Sequence, residues 1–157
     1  MASLLHKAQS MMWAMLGAVC AASSPLAPSA ATQAWIDGLI IGHNLCPWAR
    51  RASVRIVCTP DADALLRAVP AEADALRAEM TPFATTLLVL PERGLDAFTF
   101  GRIFCESESA VSEHSSWLKL LAFHPERLDT GPGCTTNPMD AAHFSTRSPL
   151  PTIQLLR

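Results

Sequence analysis

The stretch "TTLLVLP", residues 85–91, restricts the fold of this chain more than any other. It is a continuous apolar run ended by Pro91, and it reads as a strand buried on both faces. Such a strand needs a covering layer on each side, so the sheet around it must be clothed by helices. Two further runs supply neighbours. "SVRIVC" sets Val54, Ile56 and Cys58 on one face of a short strand, and "WLKLLAF" reads as a third strand. The expectation is a central strand at 85–91 flanked by these two.

Between the strands the pattern is helical. In "QAWIDGLIIGH", Trp35, Ile36, Leu39 and Ile40 recur at helical spacing, with Thr32 as the expected cap. Pro47 disfavours helical backbone at Cys46, so this helix is expected to end near Asn44. "TPDADALLRAV" is expected to open a second helix with Thr59 as cap and Pro60 in its first position, and Pro70 to kink or restart it. "LDAFTFGRIFCESESAVSEHSS" is mostly helical, and "HPERLDTGPGCTTNPMD" is a loop. "SPLPTIQLLR" reads as a last helix, with Ser148 as cap and Pro149 in its first turn. Strands alternating with helices predict an α/β fold, a small sheet of about three or four strands covered by helices. It forms a single domain over residues 32–157.

Residues 1–31 read as a targeting leader. No Asp or Glu occurs before Asp37, and Lys7 precedes the apolar run "MMWAMLGAVCAA", which small residues follow. The run is too short to span a bilayer, so no membrane span is expected in the mature chain. An organelle is the expected location after leader removal, plastid favoured, with secretion or the cytoplasm as alternatives. The structural alternative is an amphipathic first helix of the fold. With 12 basic and 14 acidic residues the net charge is -2, which gives no broad electrostatic grip on nucleic acid. The absence of tyrosine weakens any stacking platform for single strands. The 5 cysteines form no CxxC pair, and free thiols are expected. The G-x-S-x-G elbow, the P-loop and the GxGxxG fingerprint are absent, and no cofactor is expected.

Three stretches set polar residues against backbone constraints: "NLCPW" at 44–48, "FHP" at 123–125 and "STRSPLP" at 145–151. Each falls where a regular element begins or ends, which is where sites lie on α/β scaffolds. Together, "WIDGLIIGHNLCPWARR", "TTLLVLP", "AFHP" and "DAAHFSTRSPLPTIQLLR" resemble the uncharacterised family named domain of unknown function 1415. Its members carry a Trp followed by a "GLNLCPFA"-like stretch, a "TTLLV" strand, a "SFHP" stretch and a "RSPYPxxHLLRE" end. The resemblance implies a shared fold and brings no established activity. This chain departs from the pattern at His43, where Leu is frequent, at Leu150, where an aromatic is common, and at Gln154, where His is usual.

Each candidate residue has two readings. Cys46 is either a reactive thiol, favoured by Arg50, Arg51 or the positive end of another helix, or a small buried residue. His124 is either a general base for Cys46 or a histidine bonded to nearby backbone before Pro125. Asn44, beside the thiol, is a candidate substrate contact. Arg147 and Ser148, at the start of the expected last helix, would form a site for carboxylate or phosphate. Alternatively, Arg147 pairs with Asp140 or Asp129. His43, Cys46, His124, Cys134 and His143 are residue types that zinc takes. The resemblance counts against that set, because His43 and His143 replace other residue types in relatives, and no metal is expected. Two functions follow. One is an enzyme with a Cys46–His124 pair and an arginine clamp acting on a small anionic molecule. The other is a binding or assembly module whose motifs fold against one another.

Overall fold

The computed structural model describes residues 26–92, 94–127, 137 and 141–157. Most of the expected leader, and Cys134, Asp129 and Asp140, lie outside them. Helix α1, Pro28–Trp35, begins on a proline in its first turn, where the ring's fixed φ suits the helix and its missing N–H costs nothing. It therefore starts ahead of residue 32. Thr32 is not its cap. It sits inside the helix, fully buried, and its hydroxyl donates back to the Pro28 carbonyl at 2.9 Å.

The chain then widens into a π-helix, Ile36–Ile41. Gly42 N–H reaches the Asp37 carbonyl at 3.0 Å and Leu45 N–H the Ile40 carbonyl at 2.9 Å, the five-residue step of that geometry. Glycine at 42 permits it: a Cβ there would lie 2.2 Å from the Gly38 carbonyl oxygen. Asn44, at φ 52, turns the chain out of the helix, a conformation that Asn tolerates better than most residues.

Strand β1 (Ser53–Cys58), helix α2 (Ala62–Ala78) and strand β2 (Ala84–Val89) make a parallel β-α-β unit. The cap of α2 is Asp61, which accepts the Ala64 N–H at 2.7 Å. Thr59, expected in that role, is buried and latches β1 to β2 instead. Its N–H and hydroxyl donate to the Val89 carbonyl at 2.9 and 3.3 Å. Pro70 does not restart α2, which runs on for 17 residues. Leu65, Val69, Ala73 and Leu76 are buried along one side of it, so packing carries the helix past the missing backbone bond. Helix α3, Ala97–Ala110, is capped by Asp96, which accepts from the N–H groups of Phe98 and Thr99 and from the Thr99 hydroxyl. Strand β3, Lys119–Phe123, follows.

The main correction concerns the last segment. Residues Thr152–Leu156 form strand β4, not a helix. Pro149 and Pro151 favour extended backbone in the residues before them, and "TIQLL" alternates between two faces. The sheet order is β1-β2-β4-β3, with β4 antiparallel to both neighbours. Strand β2 is interior, as expected, but its neighbours are β1 and β4. Strand β3 lies at the far edge.

Helices α2 and α3 cover one sheet face, where Leu88, Leu90, Ile153 and Leu155 meet Leu65, Val69 and Phe100. Each such side chain contributes about 1.5–3 kcal/mol on burial. Helix α1 lies against β1 and β2 on the opposite face. No described helix is long and apolar enough to cross a membrane.

Candidate functional site

The second sheet face is where the structure opens. Its register sets Val54, Thr85 and Leu156 in one row and Ile56, Leu87, Gln154 and Leu121 in the next. Over this floor, between the π-helical segment, the 45–52 loop and residues 145–146, lies a hollow of about 630 Å³. That is within the roughly 300–1,000 Å³ typical of small-molecule sites. The walls are mainly apolar, from Trp35, Ile36, Ile40, Leu45, Leu87 and Leu121.

One polar pair interrupts the floor. Gln154 stands between its cross-strand partners Leu87 and Leu121. Its amide nitrogen donates to the Thr85 hydroxyl at 3.0 Å, and that hydroxyl donates to the Leu155 carbonyl at 2.7 Å. Thr85 thus fixes the carboxamide, and the amide oxygen accepts nothing among the described residues. Trp35 closes one end, its ring edge-on to Phe123 at 5.4 Å. Its indole Nε1 is buried and has no partner among the described residues, which costs about 1–3 kcal/mol.

The mouth carries exposed aromatics. Trp48 and Phe83 stack with centroids 5.1 Å apart, yet are 54% and 47% exposed. Phe83 sits at φ 59, a left-handed conformation that costs an aromatic residue about 1–3 kcal/mol. Strain and exposed apolar surface thus stand together at the lip of the hollow.

The sequence candidates are distributed as follows. Cys46 lines this hollow, half-buried, as a free thiol. Arg50, expected to favour its thiolate, donates to the Ile41 carbonyl at 3.1 Å and so ties off the π-helix. Asn44 is exposed beside the hollow's wall and does not line it. His124 lines a different, smaller hollow with Glu92, Leu95 and Pro149. Its Nδ1 accepts the Glu126 N–H at 3.1 Å, so the proton sits on Nε2, which donates to the Leu95 carbonyl at 2.9 Å. Both ring nitrogens are thus engaged with backbone, and the ring is only 3% exposed.

Arg147 donates from Nε to the Arg127 carbonyl at 3.0 Å and lines neither hollow. Ser148, expected to cap a helix, precedes a strand. Its buried hydroxyl donates to the Leu150 carbonyl. The helix on which the expected anion site was to rest is therefore not formed. Among the described residues, no three His, Cys, Asp or Glu side chains gather where a metal ion would be held.

Gln154, Thr85, Arg127, Trp48 and Phe83 were not singled out as site residues from the sequence. Gln154 carried a signal, as a polar residue alternating with Ile153 and Leu155, but only a strand reading of 152–156 sends it to the open face.

Fold and hollow define a class: a small α/β domain whose mixed sheet is sealed by helices on one face and holds a ligand-sized apolar hollow on the other. The chain belongs to the family described as protein of unknown function (DUF1415), whose model matches residues 27–157. No curated protein and no solved structure matches it.

Proposed function

We propose that this protein binds a small, largely apolar molecule in the hollow on the second sheet face. The observation that carries this reading is the combination of about 630 Å³ of space, apolar walls and a single oriented carboxamide, Gln154, on the floor. Sites for small molecules have this composition, with apolar area for affinity and a few fixed polar groups for orientation. The stacked pair Trp48–Phe83 supplies a flat surface at the entrance. The Gln154 amide oxygen offers an acceptor to the ligand.

Binding is favoured over Cys46–His124 catalysis. Among the described lining residues there is no histidine, aspartate or glutamate to take a proton from Cys46. A cysteine nucleophile needs such a base or an acidified thiol. Cys46 is then a wall residue.

The test uses biphenyl-4-carboxamide, a neutral apolar probe, titrated by quenching of tryptophan fluorescence. Saturable binding to the wild type is expected. Val54→Trp, which puts a large side chain into the hollow from β1, should abolish it with little change in thermal midpoint. Undiminished binding to that variant would overturn the reading.

A further inference from the structure

Resting on that reading, we infer that the ligand is an organic carboxylate with an extended apolar body, and that Arg127 holds its charged end. Arg127 lines the hollow just after β3. One of its terminal nitrogens donates to the Ala122 carbonyl, which pins the guanidinium against the strand. None of the ion pairs formed among the described residues involves it. Its remaining N–H groups have no acceptor among the described residues. A half-buried cation beside an apolar chamber gains most from an anion that enters with the ligand. The planar fork of a pinned arginine matches a carboxylate.

The second arginine on the lining, Arg157, is already committed. It donates to the carbonyls of Glu79 and Thr81. It also lies near the Glu79 carboxylate, which hydrogen bonds from Thr81 hold below the usual range, with the Arg157 charge adding to the effect. One uncommitted cation, and no acid among the described lining residues, match a monoanion.

Geometry sets the body of the ligand. The aromatic mouth adjoins the start of β2, where Phe83 precedes Ala84. Arg127 is anchored at Ala122, which pairs with Ile153 and so lies level with Leu88. Counted from Thr85 on the floor, Ala122 lies three residues along the strands and two strands across the sheet, about 10 Å by about 9.5 Å. A molecule about 10–14 Å long reaches from Thr85 to that point, passing over Gln154.

The experiment compares biphenyl-4-carboxylate with biphenyl-4-carboxamide at low salt on the full chain. The wild type should bind the carboxylate at least about tenfold more tightly. Arg127→Gln should erase that preference, and Arg157→Gln should keep it. Equal binding of the two probes to wild type, or a preference that survives Arg127→Gln, overturns the carboxylate inference and leaves the apolar binding site standing. Failure of both probes to bind defeats the underlying reading as well. If Arg127→Gln does not fold, Arg127→Lys decides. A reduced preference supports the fork, and an undiminished one overturns it.

Discussion

Gln154→Leu separates what the sheet needs from what the hollow needs. The substitution removes the 3.0 Å hydrogen bond from the Gln154 amide to the Thr85 hydroxyl. A neutral hydrogen bond contributes about 0.5–1.5 kcal/mol net. Thr85 keeps its own 2.7 Å donation to the Leu155 carbonyl, so no buried donor is stranded. The new leucine lies between Leu87 and Leu121, and each apolar cross-strand pair returns about 0.2–1 kcal/mol. The two effects nearly cancel, and urea denaturation should place the variant within about 1 kcal/mol of wild type. Binding should respond differently. A ligand that hydrogen-bonds to the floor loses about 1 kcal/mol, near a fivefold rise in Kd, whereas a plain hydrocarbon loses nothing. Biphenyl-4-carboxamide against biphenyl, titrated in parallel, measures this difference. A loss of stability beyond about 2 kcal/mol would mean that the carboxamide is a structural strut of the sheet. Equal affinity changes for the two probes would mean that it does not orient the ligand.

Three further outcomes follow from particular contacts. Gly42→Ala drives a Cβ into the Gly38 carbonyl and should cost about 2 kcal/mol or more, whereas Gly38→Ala meets nothing and should gain about 0.5–1 kcal/mol; chemical denaturation of the pair checks both. Pro70→Ala restores a backbone donor to α2 and should stabilise by about 1–2 kcal/mol, less than the full helix penalty of proline because the unfolded chain also gains freedom, and calorimetry should show a higher midpoint. Asp96 is held below its usual value of 3.8 by hydrogen bonds from the Thr99 hydroxyl and backbone. Its stabilisation is therefore present above pH 3.8 and is lost as pH falls through the lower folded value, so the stability gap between wild type and Asp96→Ala should shrink only below that pH.

The elements that the sequence made legible are those whose periodicity and local chemistry agree. Strand β2 was readable from a continuous apolar run ended by Pro91, and all six of its residues are buried in the structure. Helices α2 and α3 were readable from apolar spacing, although the cap of α2 was misplaced by two residues. Thr59 and Asp61 are both good caps in isolation, and only the pairing of β1 with β2 commits Thr59 to the Val89 carbonyl. Strand β4 was misread because Ser-Pro before an apolar stretch is also a good helix start. Pairing with β2 and β3 decides its conformation, and no local signal carries that. The same error hid the site. Taken as a helix, residues 152–156 point Gln154 nowhere in particular; taken as a strand, they set it in the middle of the floor. Cys46 was singled out for its constrained setting and lines the hollow, whereas Arg127 carries no local mark. His124, singled out for its place after β3, has the backbone-bonded geometry of its second reading.

The late position of β4 also orders the birth of the molecule. The β1-α2-β2 unit closes over short sequence distances, but the Thr85–Leu155 bond joins residues 70 apart. Pairings that distant form slowly, because chain-closure entropy is spent before any contact repays it. During synthesis, residues 152–156 follow β1, β2 and β3, so β2 waits with one edge unpaired. That edge belongs to the most apolar strand in the chain, and an open apolar edge invites pairing with a neighbouring chain. The floor of the hollow is unfinished over the same interval, since β4 supplies Gln154 and Leu156 to it. A small molecule that fits the hollow would therefore bind only the closed sheet and draw nascent chains away from aggregation by mass action.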